Sequence, residues 1–294
     1  MKILFMGTPE FARVSLGYLA ENKFNIIGVV TQPDKPAGRK MILTPPPVKI
    51  YAESENIPVY QPLNLKDESF FELLKNIAPD IIVVAAYGKK LPENILKFPK
   101  YGCVNVHASL LPKYRGAAPI SAAIINGEKI TGITTIYMEE SIDTGDMIIK
   151  EPLEIGEDET YGELHDRLAE LGGKVLTKTL EQIKSGTAKR EKQPEKGASY
   201  AGKTDNAVCE IDWGQPAQKI HDQIRGLSPV PAAFMYLDGK KLKIFKSRIS
   251  SDGIIELLEV QPEGGKRMSA GDFINGRKNE SRDEREGSVF KFAR

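Results

Sequence analysis

The chain has 294 residues, 40% hydrophobic and 28% charged, an ordinary globular composition that suits one large or two medium domains. Lys plus Arg total 41 against 40 for Asp plus Glu, so no overall field draws polyanions, and any nucleic-acid contact needs a local basic patch. Cys103 and Cys209 form no C-x-x-C pair, which argues against a disulfide framework or a zinc site, and the longest apolar run, IIVVAA at Ile81–Ala86, is far below membrane-spanning length.

The opening MKILFMGTPE has too short an apolar core for a signal peptide and reads as a strand at Lys2–Met6. A cytoplasmic protein without structural metal is expected. The stretch PEFARVSLGYLAEN follows as a helix, with Thr8 as N-cap and Pro9 in the first turn. Compact β-branched runs come next at Ile26–Thr31, Asp80–Ala86, Gly102–Val106 and Thr131–Met138. Their lack of polar alternation predicts strands buried on both faces, hence a mainly parallel sheet with helices on each side. Between the second strand and its helix, TQPDKPAGRKMILTPPP (Thr31–Pro47) is unusually long for such a connection and rich in Pro, Gly and base.

A long helix is predicted at about Thr160–Ser185, where Leu164, Leu168, Leu171, Val175, Leu176 and Leu180 keep the helical period and Gly186 supplies a stop. His165 on it reads as an ordinary helix residue. The period then vanishes in TAKREKQPEKGASYAGKTDN (Thr187–Asn206), as in a linker. Short β-type runs follow, with DGKK marking a hairpin and one helix at about Pro216–Leu227 carrying His221 and Asp222 on its polar side. This region is expected to be a small β-rich domain, a barrel in type. The composition divides the chain into 1–188, a linker at 189–205 and a second domain at 206–294, whose tail GRKNESRDEREGSVFKFAR (Gly276–Arg294) is mostly charged and expected to be loose up to its last apolar residues.

Chemistry concentrates in NVHASLLPKYRG, Asn105–Gly116. On an extended strand Asn105 and His107 point the same way, setting an amide donor beside a titratable base. Open α/β sheets place their sites beyond the carboxyl ends of strands, and a second loop, EESIDTGDM with Asp143, follows the strand ending at Met138. If those strand ends are neighbours, amide, imidazole and carboxylate converge, and the amide could hold an oxyanion while the carboxylate orients the imidazole. No activated Ser or Cys is evident nearby, which favours direct attack by a substrate amine over a covalent intermediate. Spacing alone leaves Asn-x-His open between structural and catalytic roles, and it cannot bring Asp143 to the pair.

NVHASLLPKYRGAAPI together with MEESIDTGDM resembles the folate-dependent formyltransferase family. MGTPEFA, TQPDKPAGR and LLEVQPEGGKRMSAGDFINGR, in order along Met1–Arg277, are similar to the branch that formylates the methionine carried by initiator tRNA. The resemblance implies an α/β fold: a Rossmann-like N-terminal domain with a mainly parallel sheet, followed by a smaller OB-like β-barrel that binds tRNA. It implies 10-formyltetrahydrofolate as co-substrate and initiator methionyl-tRNA as partner, with no metal, no membrane and a monomeric enzyme. Asn105 and protonated His107 would hold the oxyanion, and Asp143 would keep His107 charged and relay a proton. Ser109, Leu110, Leu111 and Pro112 match the stretch lining the folate site. Arg39 matches the key basic residue of the loop that inserts at the tRNA acceptor end, with Lys35 beside it. Lys241 and Lys243, on one strand face near Lys246 and Arg248, are candidate phosphate contacts.

Rival classes fare worse. IDTG at Ile142–Gly145 resembles the aspartic-protease turn, but such an enzyme needs two, and one copy occurs here. A nicotinamide enzyme wants G-x-G-x-x-G after its first strand, where MGTPEFA has a single glycine. Within the family the alternative is a small-amine or nucleotide-sugar acceptor, or a deformylating relative.

Overall fold

Ile3, Leu4, Phe5 and Met6 are each 0% exposed, as a strand covered on both faces requires. The computed structural model describes residues 1–38, 41–280 and 291–292. Lys2–Gly7 lies inside a seven-stranded sheet ordered Met147–Glu154, Ile130–Tyr137, Cys103–His107, Ile81–Ala85, Lys2–Gly7, Asn25–Val30, Val59–Tyr60. The five strands from Cys103–His107 to Val59–Tyr60 pair in parallel, and Ile130–Tyr137 joins them antiparallel. The mainly parallel sheet is therefore present with one reversed strand. Met147–Glu154 has no counterpart in the sequence reading, because its Lys150, Glu151 and Pro152 break the apolar pattern.

The first helix runs Glu10–Glu21 with Pro9 at its cap, and Thr8 does not cap it. Thr8 Oγ1 instead donates to the Tyr87 carbonyl at 3.2 Å, tying the first strand's exit to a neighbouring one. The long helix is Tyr161–Ser185, its Leu164, Leu168, Val175, Leu176 and Leu180 all fully buried. Gly186 ends it at φ +74°, a conformation that costs glycine nothing.

The chain forms two compact units: Met1–Ala117 with Gly132–Leu153 and Asp166–Tyr200, and Ala118–Thr131 with Glu154–His165 and Ala201–Arg294. In the second, the strands expected as a barrel form a five-stranded antiparallel sheet, in which Ala233–Leu237, Lys240–Ile249, Ile255–Pro262 and Met268–Ser269 follow in order. Lys291–Phe292 pairs with Ile255–Pro262, while 281–290 and 293–294 of the charged tail lie outside the described residues. The DGKK turn is a two-residue hairpin with Asp238 at φ +48° and Gly239 at φ +74°, the left-handed pair that matches strand twist.

The helix Ala217–Leu227 corrects one expectation, since His221 and Asp222 are only 3% and 2% exposed. Asp222 Oδ1 accepts from Arg225 Nε at 2.8 Å and lies 2.7 Å from Arg225 Nη2, and Arg225 Nη1 donates to the Gly156 and Glu159 carbonyls at 3.2 and 3.1 Å. His221 sits between Ser247 Oγ at 3.0 Å and Asp158 Oδ1 at 3.1 Å. Polar type pointed to an outer face, but pairing made burial affordable in free energy.

Asp222→Ala leaves Arg225 charged and buried, so unfolding free energy should fall by about 3–5 kcal/mol; a urea titration giving under about 1 kcal/mol would contradict the pairing's role. Burial, reinforced by Arg225 and opposed by Asp158 and Asp222, holds the His221 pKa below its ordinary value. Below about pH 6.5 the unfolded chain therefore binds the extra proton more readily, so this stability is present above that pH and lost as pH falls. Unfolding free energy should drop more steeply on acidification in the wild type than in His221→Gln, and equal slopes would refute it.

Candidate active site

Asn105 and His107 both meet one carboxylate, as residues two apart on a strand should. Asn105 Nδ2 donates to Asp143 Oδ1 at 3.3 Å, and His107 Nδ1 lies 3.5 Å from Asp143 Oδ2. The route by which Asp143 arrives differs from the expected one. Ile130–Tyr137 runs antiparallel, so Tyr137 is level with Val104 and the strand's carboxyl end is not beside His107. The loop after Met138 must fold back along the sheet. Two features make the return: Asp143 adopts φ +54°, and Gly145 presses so close to the preceding strand that a Cβ would stand 1.7 Å from the Tyr137 carbonyl oxygen.

The site is largely dry, the His107 and Asp143 side chains being 5% and 13% exposed. His107 Nε2 is 2.9 Å from the Tyr114 carbonyl, an acceptor only, so Nε2 carries a proton. As an imidazolium the ring has an oxygen facing each N–H. Asp143 Oδ2 also accepts from Gly116 N at 2.8 Å. The cluster can thus offer an amide donor and a carboxylate-backed imidazole to a group acquiring negative charge.

Of the stretch Ser109–Pro112, the backbone is pinned to the reversed strand. Thr134 Oγ1 donates to Ser109 O at 2.6 Å and accepts from Leu111 N at 3.1 Å, and Ser109 Oγ donates to Lys113 O at 2.6 Å. Leu111 packs with Ile136 and Met147, and Leu110 lies against Gly132. These residues stand next to His107 in the chain and belong to the same unit.

Lys35 lies on Lys35–Ala37, which pairs antiparallel with Ile42–Thr44, so the long loop contains a small hairpin. Met41, Ile42 and Leu43 there are 68%, 62% and 63% exposed. Arg39 falls outside the described residues. In the second unit, Lys241 Nζ sits 3.9 Å from the Phe234 ring centroid, and Lys243 Nζ donates to Pro231 O at 3.3 Å. Strict alternation would turn Lys246 and Arg248 to the opposite face, but a register shift around Phe245 returns them to the solvent side with Lys241 and Lys243. Arg248 is matched by Glu256 at 2.6 Å.

Sequence reasoning missed Gln193 and Arg115. Gln193, inside the presumed linker, donates to the Asp143 and Gly145 carbonyls at 2.7 and 2.9 Å. Arg115, 1% exposed, donates from Nε to Gln193 Oε1 at 3.0 Å. Neither leaves a periodic signature, although YRG beside the Asn-x-His strand was a basic residue worth placing.

The fold is thus an α/β one whose mainly parallel sheet presents an amide and an imidazole to a carboxylate. Residues 1–180 match the formyl transferase family and residues 203–252 match the formyl transferase C-terminal domain. The chain belongs to the formyl transferase family. It is 48% identical to the methionyl-tRNA formyltransferase of Pelotomaculum thermopropionicum, covering 94% of this chain and 96% of that one. It is 45% identical to that of Acetivibrio thermocellus, covering 95% and 97%. In fold it is similar to the methionyl-tRNA formyltransferase from Clostridium thermocellum, with a TM-score of 0.61, 22% identity and coverage of 89% and 98%. The N-formyltransferase from Helicobacter canadensis, solved with folinic acid and dTDP-3-aminofucose, gives 0.66 at 21% identity, covering 92% and 98%.

Thr134 is fully buried, so Thr134→Val keeps its shape but strands Ser109 O and Leu111 N. Each buried unpaired group costs about 1–3 kcal/mol, so chemical denaturation should show a loss of at least about 2 kcal/mol. Thr134→Ser, which keeps the hydroxyl, should recover most of it; an unchanged Val variant would show that the hydroxyl is not a brace.

Proposed function

We propose that this chain transfers the formyl group of 10-formyltetrahydrofolate to the α-amine of methionine esterified to initiator tRNA. The observation that carries the proposal is the convergence of Asn105, His107 and Asp143 within 3.3–3.5 Å, in a chain 48% identical to a methionyl-tRNA formyltransferase along nearly its whole length.

The amine attacks the formyl carbon directly, and the carbonyl oxygen becomes an oxyanion. Asn105 faces Asp143 with one N–H, and its second N–H is the donor for that oxygen. His107 as an imidazolium adds positive charge, and Asp143 holds the ring. Collapse re-forms the carbonyl and breaks the bond from carbon to N10 of the folate. The amine loses a proton and N10 gains one, relayed through water by Asp143 and His107. No bond to the protein forms at any stage.

Ser109, Leu110, Leu111 and Pro112 line the folate side, their backbone braced by Thr134. Arg39 and Lys35 reach the acceptor end of the tRNA, and residues 206–294 supply a second contact through the exposed face bearing Lys241 and Lys243. A local basic face is what a chain with balanced overall charge requires for this partner. The enzyme works as a cytoplasmic monomer; among the described residues no helix is long and apolar enough to cross a membrane.

The test is a radiolabelled formyl-transfer assay with charged initiator tRNA, run beside an amino-sugar nucleotide as rival acceptor. Label should appear on the tRNA alone. Asn105→Ala should lower kcat by about a hundredfold to a thousandfold with folate affinity little changed, because the donor acts on the transition state. Labelled sugar and unlabelled tRNA would overturn the acceptor; wild-type turnover in folded Asn105→Ala would overturn the role of the amide.

A further inference from the structure

We infer that Gln193 is a positioning residue for Asp143, clamping the loop that brings this carboxylate to Asn105 and His107. The inference rests on the proposed function. It starts from a mechanical difficulty: Asp143 arrives on an irregular loop, in a left-handed conformation that non-glycine residues adopt at a cost of about 1 kcal/mol or more. Such a loop keeps its shape only if ties from outside it over-determine it.

Gln193 supplies those ties in pairs. Its side-chain amide has two N–H groups, and two carbonyls meet them, Asp143 O at 2.7 Å and Gly145 O at 2.9 Å. These carbonyls flank the turn by which the loop doubles back. The other end of the amide, Oε1, accepts from Arg115 Nε at 3.0 Å. Arg115 immediately precedes Gly116, whose N–H donates to the Asp143 carboxylate at 2.8 Å. Hydrogen bonds and one peptide link therefore close a ring: Gly116 fixes the head of Asp143, Gln193 fixes its backbone, and Arg115 fixes Gln193.

The strap carrying Gln193 is itself fastened. Glu191 and Met147 exchange backbone hydrogen bonds at 2.8 and 3.0 Å, and Arg115 N donates to Ser199 O at 2.8 Å. Ser199 Oγ accepts from Tyr114 N at 2.9 Å, and Tyr114 O in turn receives His107 Nε2. The same ten-residue stretch, 191–200, thus holds the backbone behind both Asp143 and His107. Its low apolar content suits this work, which is done by amides and hydroxyls.

Two variants separate positioning from general support of the fold. Gln193→Leu keeps approximate size and removes every hydrogen bond. Gln193→Glu keeps the length and the acceptor for Arg115, but sets its other carboxylate oxygen, in place of the amide nitrogen, against two carbonyls. Both should lose about tenfold to a hundredfold in kcat, the scale expected when a reacting group is misplaced by about 1 Å. Folate affinity by fluorescence titration should stay within about twofold. In an Asp143→Ala background, Gln193→Leu should cost less than about twofold further, because its effect passes through the missing carboxylate.

Wild-type turnover in both variants would overturn the clamp, as would an undiminished loss in the Asp143→Ala background. So would a Gln193→Glu enzyme as active as wild type, since that outcome assigns the residue to holding Arg115. A wild-type chain that leaves charged initiator tRNA unlabelled overturns the parent proposal first. The two failures are distinguished by that control.

Discussion

Asp143 is a carboxylate delivered to a nearly dry site by a loop with no regular structure, and the arrangement of the first unit is organised around holding it there. A buried carboxylate without partners would cost several kcal/mol, so it must be surrounded by donors. Gly116 N supplies the short one at 2.8 Å, while Asn105 and His107 stand further off at 3.3 and 3.5 Å. The strongest tie is thus to backbone, and the longer contacts go to the side chains that face substrate in the proposed mechanism. A backbone anchor fixes the carboxylate without consuming those groups.

The sheet explains why so much anchoring is needed. Cys103–His107 is the last parallel strand, and its neighbour Ile130–Tyr137 runs the other way, placing Thr134 opposite His107 and Tyr137 opposite Val104. The reversed strand puts Thr134 where its hydroxyl can brace the Ser109–Leu111 backbone. It also sends the following loop off at the wrong end, so that Asp143 must come back. Gly145 makes that return sterically possible, and the segment 191–200 makes it stable.

How legible this was follows from the range over which each feature is encoded. Asn105 and His107 are a local pattern, two residues apart on a buried β-branched run, and period two alone aligns them. The core positions of Tyr161–Ser185 are equally local. Asp143 lies 36 residues beyond His107, and a strand's direction in the sheet is not written in its own sequence. The motif resemblance, not spacing, put it at the site. Gln193 was invisible for a different reason: segments that work through amides and carbonyls have the composition of a linker. Helix Ala217–Leu227 shows a third kind of loss, where His221 and Asp222 read as polar-face residues although Arg225, three residues after Asp222, stood where it could pair with that carboxylate. The strand Lys240–Ile249 shows a fourth, since an irregular register, not parity, decides where Lys246 and Arg248 point.

The two polar networks differ in a way that tracks their use. In the second unit Arg225 is enclosed by a carboxylate and two carbonyls, and His221 has an oxygen near each ring nitrogen. That network is closed, which is what stability demands of buried charge. In the first unit Arg115 is just as buried, yet among the described residues its Nη2 has no hydrogen-bond partner and lies 3.9 Å from Glu195, a residue 88% exposed. Its Nη1 donates to the Tyr200 hydroxyl at a long 3.4 Å. A guanidinium so thinly compensated is costly, and hydrophobic packing could have replaced it at less expense in free energy. What it provides in return is a fixed donor at Gln193 Oε1, and through that amide a fixed loop. The incompletely satisfied charge thus sits where geometry has to be enforced, and the fully satisfied one where only the fold has to be held.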